Sequence, residues 1–422
     1  MTKHVLSALI LVFLFTWAGL VSTPVNVCFA SEEDWSMFRC NAAHVGAVVG
    51  VGPTTVPVER WRFDAGGSVR SSPVVVDGVV YVGSENGVYA LNASTGEVIM
   101  KYINGSAISS PAVANGIVHF SSMEGWVYTF NASTGTIIGR FRIGGVSTAS
   151  SPTVVDGLFY VGVGWMLVVV TASTGWDTPV TFGTDGYIDG SPAVVGGVVY
   201  FGSQDKNVYA VNVTTGEKLW NYTTESEVAS SPAVSDGYVY VGSGGSVGAG
   251  NFYAFNASTG ARIWNFSTGG GVVSSPAVFD GEVYVGSYDG YVYGFDGLSG
   301  KLVWSYRTGG GVYSSPAVAG GVVYVGSYDG NVYAFDAFSG SLMWSYKTGA
   351  AVWSSPAIVN GTLYVGSDDG YVYALGQSPN SSTPSPTIPE FPIQLESILF
   401  SLSLMAVLSI VVRKREKEKN MP

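Results

Sequence analysis

Short apolar runs alternate with glycine-bearing turns through most of the chain, and no long helical period interrupts them. In the stretch from Ser314 to Trp353 the runs AVAGGVVYVGS, NVYAFDA and SLMWSYK are rich in Val, Tyr, Phe and Trp, and AGG, YDG and FSG separate them. Each separator supplies the Gly that a tight turn needs, which predicts an antiparallel meander. With Pro316 opening the innermost strand, the unit has four strands: A (PAVA), B (VVYVGS), C (NVYAFDA) and D (LMWSYK). About 40 residues for four strands is the size of one propeller blade.

The unit recurs along the chain. Its strand-A prolines are Pro73, Pro111, Pro152, Pro192, Pro232, Pro276, Pro316 and Pro356, at intervals of 38, 41, 40, 40, 44, 40 and 40 residues, which predicts eight blades. The third is the weakest match: VGVGWMLVVV lacks the Asp-Gly turn and Pro179 stands where other D strands carry Trp, but its opening SSPTVVDGLFYVG is intact. The two ends of the repeat array are complementary. Trp61 precedes Pro73 by twelve residues, the separation of Trp220 from Pro232, Trp264 from Pro276, Trp304 from Pro316 and Trp344 from Pro356, so it sits on a D strand with no A, B and C before it. Ser354 to Gly376 supplies A, B and C and then stops. The two fragments complete one blade and remove the open sheet edges that invite aggregation. The expected fold is all-β: a single eight-bladed β-propeller of four-stranded blades, closed by an N-terminal D strand that completes the last blade.

Outside the blades the pattern changes. Residues 1–30 carry Lys3 and His4, the run VLSALILVFLFTWAGLV and then a more polar stretch, a secretory signal. Residues 31–55 form a leader, 56–376 the propeller and 377–392 a Pro/Ser-rich linker without apolar periodicity. Residues 393–412 read as a membrane-spanning or sorting segment, and 413–422 as a basic cytoplasmic tail beginning Arg413-Lys414-Arg415. The apolar run Ile398 to Val412 spans only about 22 Å as a helix, short of a ~30 Å core, so a cleaved and lipid-replaced tail is the alternative to a retained helix.

Composition sharpens this reading. The 57 glycines, 13% aromatic residues and only 12% charged residues among 422 suit many buried strands joined by glycine turns. Ser31 to Gly376 carries 13 basic and 26 acidic residues, so the propeller is acidic and repels a phosphate backbone; nucleic acid is excluded as a partner. Of the two cysteines, Cys28 leaves with the signal segment and Cys40 is expected to remain as a lone thiol.

The motif Ala334, Asp336, Gly340 and Trp344 within SSPAVAGGVVYVGSYDGNVYAFDAFSGSLMW resembles the pyrroloquinoline-quinone (PQQ) repeat, and the resemblance covers about residues 34–376. The leader DWSMFRCNAAHVG is similar to that of BamB-like propellers. The resemblance implies that Trp61, Trp220, Trp264, Trp304 and Trp344 dock each blade on its neighbour, with Met100, Gly139 and Pro179 replacing Trp in the early blades. Pro389-Glu390-Phe391 with its apolar and basic sequel resembles archaeal sorting signals, which implies a membrane-anchored cell-surface protein. PQQ enzymes of this scaffold carry long inter-blade insertions, a vicinal cysteine pair and Glu, Asn and Asp ligands for calcium. This chain has no vicinal cysteines and one insertion, GGSVGAG; His4, His44 and His119 have no ligand spacing, and no nucleophile-base set is visible. No catalytic residue or metal ligand is therefore expected.

A site has to be sought from geometry. Because successive strands reverse, B–C turns and D–A loops share one face of a propeller, and A–B and C–D turns share the other. Just before each Ser-Ser-Pro one position varies: Arg70, Ile108, Ala149, Asp189, Ala229, Val273, Tyr313 and Trp353. A variable ring on a constant scaffold is a candidate recognition site, with Arg70, Asp189, Tyr313 and Trp353 as its charged and aromatic members. On the same face Glu85, Glu124, Asp205, Asp289, Asp329, Asp368 and Asp369 occupy the B–C turns, where turn chemistry alone also accounts for Asp. Sequons occur at Asn92, Asn104, Asn131, Asn212, Asn221, Asn256, Asn265, Asn360 and Asn380, none of them in a B–C turn. The expected function is a non-enzymatic, monomeric cell-surface scaffold binding an envelope protein or glycan. A PQQ- and calcium-dependent oxidoreductase and a purely structural envelope component remain open alternatives.

Overall fold

The computed structural model describes residues 34–102, 109–122, 125–142, 150–172, 180–245 and 248–377. The signal segment, the linker and the C-terminal segment lie outside these, as do Ile108, Ala149, Glu124, Pro179, Asn104 and Asn380. Among the described residues no helix is long and apolar enough to cross a membrane.

Eight antiparallel sheets follow one another around a ring, each ordered A-B-C-D from the inside outward. Blade 7 is representative: Ala317–Ala319, Val322–Gly326, Asn331–Asp336 and Leu342–Lys347. Blade 8 closes the ring as expected. Its strands Ala357–Val359, Thr362–Gly366 and Tyr371–Gly376 take Val58–Asp64 as their fourth, with Trp61 opposite Ala374 and Glu59 opposite Leu375. Blade 3 is a full blade, but Pro179 is not its counterpart of Trp. Val180 pairs with Val169 as Trp220 pairs with Ala210, and it lies against Gly216 of blade 4.

The expected tryptophan docking is observed, with a second donor that the sequence did not reveal. Trp220 Nε1 donates to the Ala257 carbonyl of the next blade at 2.8 Å, and Tyr200 Oη of strand B donates to the same oxygen at 3.3 Å. Trp264 and Tyr240 converge likewise on Gly297, and Trp61 and Tyr364 on Ala93, across the closure from blade 8 to blade 1. The receiving turn is selected tightly. Gly300 has φ +70°, and a Cβ there would lie 2.5 Å from the Trp264 ring. Blade 8 has no C–D turn of its own, and the leader replaces it: Pro53 supplies the carbonyl for Trp344 and Tyr324, while Gln377 bonds Thr54 and Thr55.

The Ser-Ser-Pro motif holds the blades together nearer the axis. The second serine's backbone N–H donates to the hydroxyl of its counterpart one blade on: Ser72 to Ser110, Ser110 to Ser151, Ser151 to Ser191 and Ser191 to Ser231. Ser231 continues to Ser275, Ser275 to Ser315, Ser315 to Ser355 and Ser355 back to Ser72, at 2.8–3.1 Å throughout. The first serine braces its own blade and also reaches the next, as where Ser314 Oγ accepts from Gly326 N of blade 7 and donates to the Ser354 carbonyl of blade 8.

The leader lines the inside of the ring. Its carbonyls at Trp35, Ser36, Ala42, Ala43, Val45 and Gly46 accept the N–H groups of Val75, Val113, Val194, Val234, Val278 and Val318, one strand A after another. Ala47–Val48 then adds in parallel to strand A of blade 7. Inner strands would otherwise present bare backbone to the axis, and the leader satisfies six of them. Arg39, buried without a carboxylate, donates to the carbonyls of Pro316 and Pro276, and it fills the space that a side chain on Gly46 would need. Cys40 is buried and disulfide-bonded in the full chain; its one possible partner, Cys28, lies outside the described residues in the segment expected to be removed.

Ser315→Ala leaves the buried Ser275 N–H without an acceptor and should cost about 1–3 kcal/mol, read as a lower denaturant midpoint with unchanged slope. The histidines make stability depend on pH. His44 and His119 are buried neutral: burial and then the Arg39 charge push His44 down to about 3, and burial pushes His119 down to about 4. The unfolded chain therefore binds more protons below its histidine pKa of roughly 6.5, so stability is fully present above that pH and falls as the pH drops from about 6.5 towards 4. The loss should reach a few kcal/mol, since each tenfold change in proton affinity is worth about 1.4 kcal/mol. Melting at pH 7 and pH 4.5 checks this. His119→Tyr, the residue at this place in the other seven B strands, should reduce the acid-induced loss.

Candidate partner-binding site

The D–A loops and B–C turns meet on one face, where four aspartates fasten them together. Asp329 illustrates the arrangement: Oδ1 accepts from Asn331 N, and Oδ2 from Tyr333 Oη at 2.7 Å and from Gly309 N of the preceding loop. Asp289 and Asp369 repeat the pattern with Tyr293 and Gly269 and with Tyr373 and Gly349; Asp205 does so with Tyr209 and Asp185. Burial alone would raise the carboxyls of Asp205 and Asp329, but the hydrogen bonds from Tyr209 and Tyr333 and their neighbours outweigh it and hold both below the usual range. Both oxygens of each are spent on the turn, so the Asp-Gly signal is turn chemistry, as the sequence allowed. Asp329→Ala should therefore lower the melting temperature, with a loss of about 2–4 kcal/mol for the orphaned partners, and leave partner capture by the folded fraction intact.

Three of the four variable-ring residues come together. Arg70 donates to Asp368 through two nitrogens, at 2.9 and 3.2 Å, and its guanidinium lies 5.1 Å from the centre of the Trp353 ring. Trp353 contacts Tyr313 at 4.0 Å between centroids, and Tyr313 contacts Tyr288 at 3.8 Å. Tyr328, 55% exposed, caps both Trp353 and Tyr313 from the blade 7 turn. The result is a continuous arginine-aromatic platform across blades 6, 7, 8 and 1. The indole Nε1 of Trp353 is buried there with no acceptor among the described residues.

Asp189 stands apart from this platform. It accepts a 2.6 Å bond from Gln204 and is raised by burial, an effect this bond partly offsets. Near it Trp165 and Tyr187 form a second exposed aromatic pair 6.4 Å apart, across blades 3 and 4. Sequence reasoning missed Tyr288, Tyr328, Trp165 and Tyr187. The signal was the residue preceding Asp-Gly in SYDG, and Trp165 in the turn that departs from the repeat.

The opposite face differs in kind. A cavity of about 340 Å³ opens between leader residues Val48, Val49, Gly50 and Val51 and the blade 8 residues Ile358, Asn360 and Gly361, with no titratable side chain lining it. Among the described residues no three His, Cys, Asp or Glu side chains group as metal ligands, and Asp205, Asp289, Asp329 and Asp369 are held by turn bonds.

Comparison with known proteins agrees with this architecture. The family model for outer membrane protein assembly factor BamB matches residues 58–266, 204–311 and 306–378. No curated protein matches the chain. Among solved structures, a europium-containing methanol dehydrogenase is 16% identical and superposes with a TM-score of 0.68 over 82% of this chain and 98% of its own. BamB from Moraxella catarrhalis is 17% identical, with a TM-score of 0.65 over 76% and 100%. The quinohemoprotein alcohol dehydrogenase from Comamonas testosteroni is 15% identical, with a TM-score of 0.67 over 82% and 81%. Identity this low carries the fold and not the activity, so enzymes and a non-enzymatic assembly factor stand equally near in shape. By its matched repeats the chain belongs to the PQQ-type repeat family of outer membrane protein assembly factor BamB.

Proposed function

We propose that this propeller is a non-enzymatic scaffold of the cell envelope that binds a protein or glycan partner on its D–A face. The observation that carries the reading is the platform of Arg70, Trp353, Tyr313, Tyr328 and Tyr288. Arginine and large aromatic residues dominate interface energies, and a buried indole N–H without an acceptor favours a partner that brings one. The family supports it, since the matching model is named for an assembly factor. A dehydrogenase reading is weaker, because Asp205, Asp289, Asp329 and Asp369 of this face are committed to turns and Asp368 to Arg70.

The test pairs capture with catalysis. Full-length protein bearing Tyr313→Ala and Trp353→Ala should lose its envelope partner in a pull-down by tenfold or more. Both side chains are half-buried, so a stability loss of about 1–2 kcal/mol should accompany the change without unfolding. Arg70→Ser with Tyr328→Ser, at more exposed positions, should weaken capture with little change in melting. Retained capture by both variants, or saturable dye-linked alcohol oxidation after addition of PQQ and calcium, would overturn the proposal.

A further inference from the structure

Six C–D turns share one construction, and four of them contain a residue that the construction does not use. The first position carries Asn92, Asn131, Asn212, Asn256, Asp296 or Asp336; its Oδ1 accepts the backbone N–H three residues on, and in the asparagines also the one two residues on, as from Ser94 and Thr95 at 2.9 and 3.0 Å. The fourth position is a hydroxyl residue, from Thr95 to Ser339, which accepts the N–H two residues further along. Asp performs the first task as well as Asn does, so the turn requires an Oδ and makes no use of an amide Nδ2.

The third position distinguishes the two sets. Behind each of the four asparagines it is Ser94, Ser133, Thr214 or Ser258; behind the two aspartates it is Leu298 or Phe338. This position is exposed in all six, 64% in Leu298 and 49% in Phe338, and none of the four hydroxyls takes part in the turn's hydrogen bonds. In these six turns hydroxyl and amide occur together, although the turn bonds use neither; the blade 3 sequence Thr171-Ala172-Ser173 keeps the hydroxyl without the amide and offers no acceptor.

We infer that Asn92, Asn131, Asn212 and Asn256 are attachment sites for N-linked oligosaccharide. The amide Nδ2 forms a bond to the anomeric carbon of an activated glycosyl phosphate while the carbon–oxygen bond to the phosphate breaks; the amide proton is released and the phosphate leaves with the electron pair. The four acceptors lie on the A–B face of blades 1, 2, 4 and 5, and the platform on the other face stays clear. Asn221 is a poorer acceptor, because its Nδ2 donates to Asn207 Oδ1 at 3.0 Å.

The inference is independent of what binds the platform. Glycopeptide mass spectrometry on full-length protein from its native membranes should find hexose-bearing masses at the four turns. Ser94→Ala, Ser133→Ala, Thr214→Val and Ser258→Ala keep every turn bond, so each should abolish the modification at its own site with melting shifted by less than about 1 °C. Asn92→Asp should behave in the same way. Unmodified Asn peptides in the native protein, or modification that persists in the hydroxyl variants, would overturn the assignment.

Discussion

A backbone N–H donated to a serine hydroxyl one blade ahead, repeated eight times until it returns to its origin, is the bond on which the ring depends. Each such bond contributes about 0.5–1.5 kcal/mol net, which is modest. Its importance is positional. It lies beside the strand-A prolines, and it fixes each blade relative to the next at the same place. The Trp and Tyr bonds to the C–D turn carbonyl fix the outer radius. Two points of attachment at different radii determine the angle between neighbouring blades, and eight equal angles close the circle.

The repeated contacts were legible in the sequence because a repeat announces itself by recurrence. The twelve-residue register of Trp61 placed the closing strand correctly, since that spacing is set by covalent geometry within one blade. The serine ring was equally visible as a motif, but its meaning was not: only closure brings Ser355 beside Ser72. Pro53 was invisible because it acts where the repeat is missing. A substitute for an absent turn has no pattern to match. Pro179 was placed at the Trp position although Val180 is the residue twelve before Pro192, and it is Val180 that takes the place opposite Val169.

The candidate platform was half legible. Variation within a constant frame pointed to Arg70, Tyr313 and Trp353, whereas Tyr288 and Tyr328 belong to turns that repeat and so carry no such signal. Asp189 shares the ring's sequence position without sharing its contacts, because blades 4 and 8 lie across the axis from each other. The leader was legible only as a resemblance. Its carbonyls read the inner strands through backbone groups, which leave no trace in side-chain patterning.

The way blade 8 is assembled has a mechanical consequence. Its third strand, Tyr371–Gly376, lies between Thr362–Gly366 on one side and Val58–Asp64 on the other, and the chain leaves the ring directly after it. A load applied to the chain beyond Gln377 pulls along this strand rather than across it. Both hydrogen-bonded ladders then resist in shear, with their bonds strained together instead of one at a time. Had the ring closed with the C-terminal strand outermost, the same pull would have met a single ladder. By giving the outer place to an N-terminal strand, the fold sets its exit point between two neighbours.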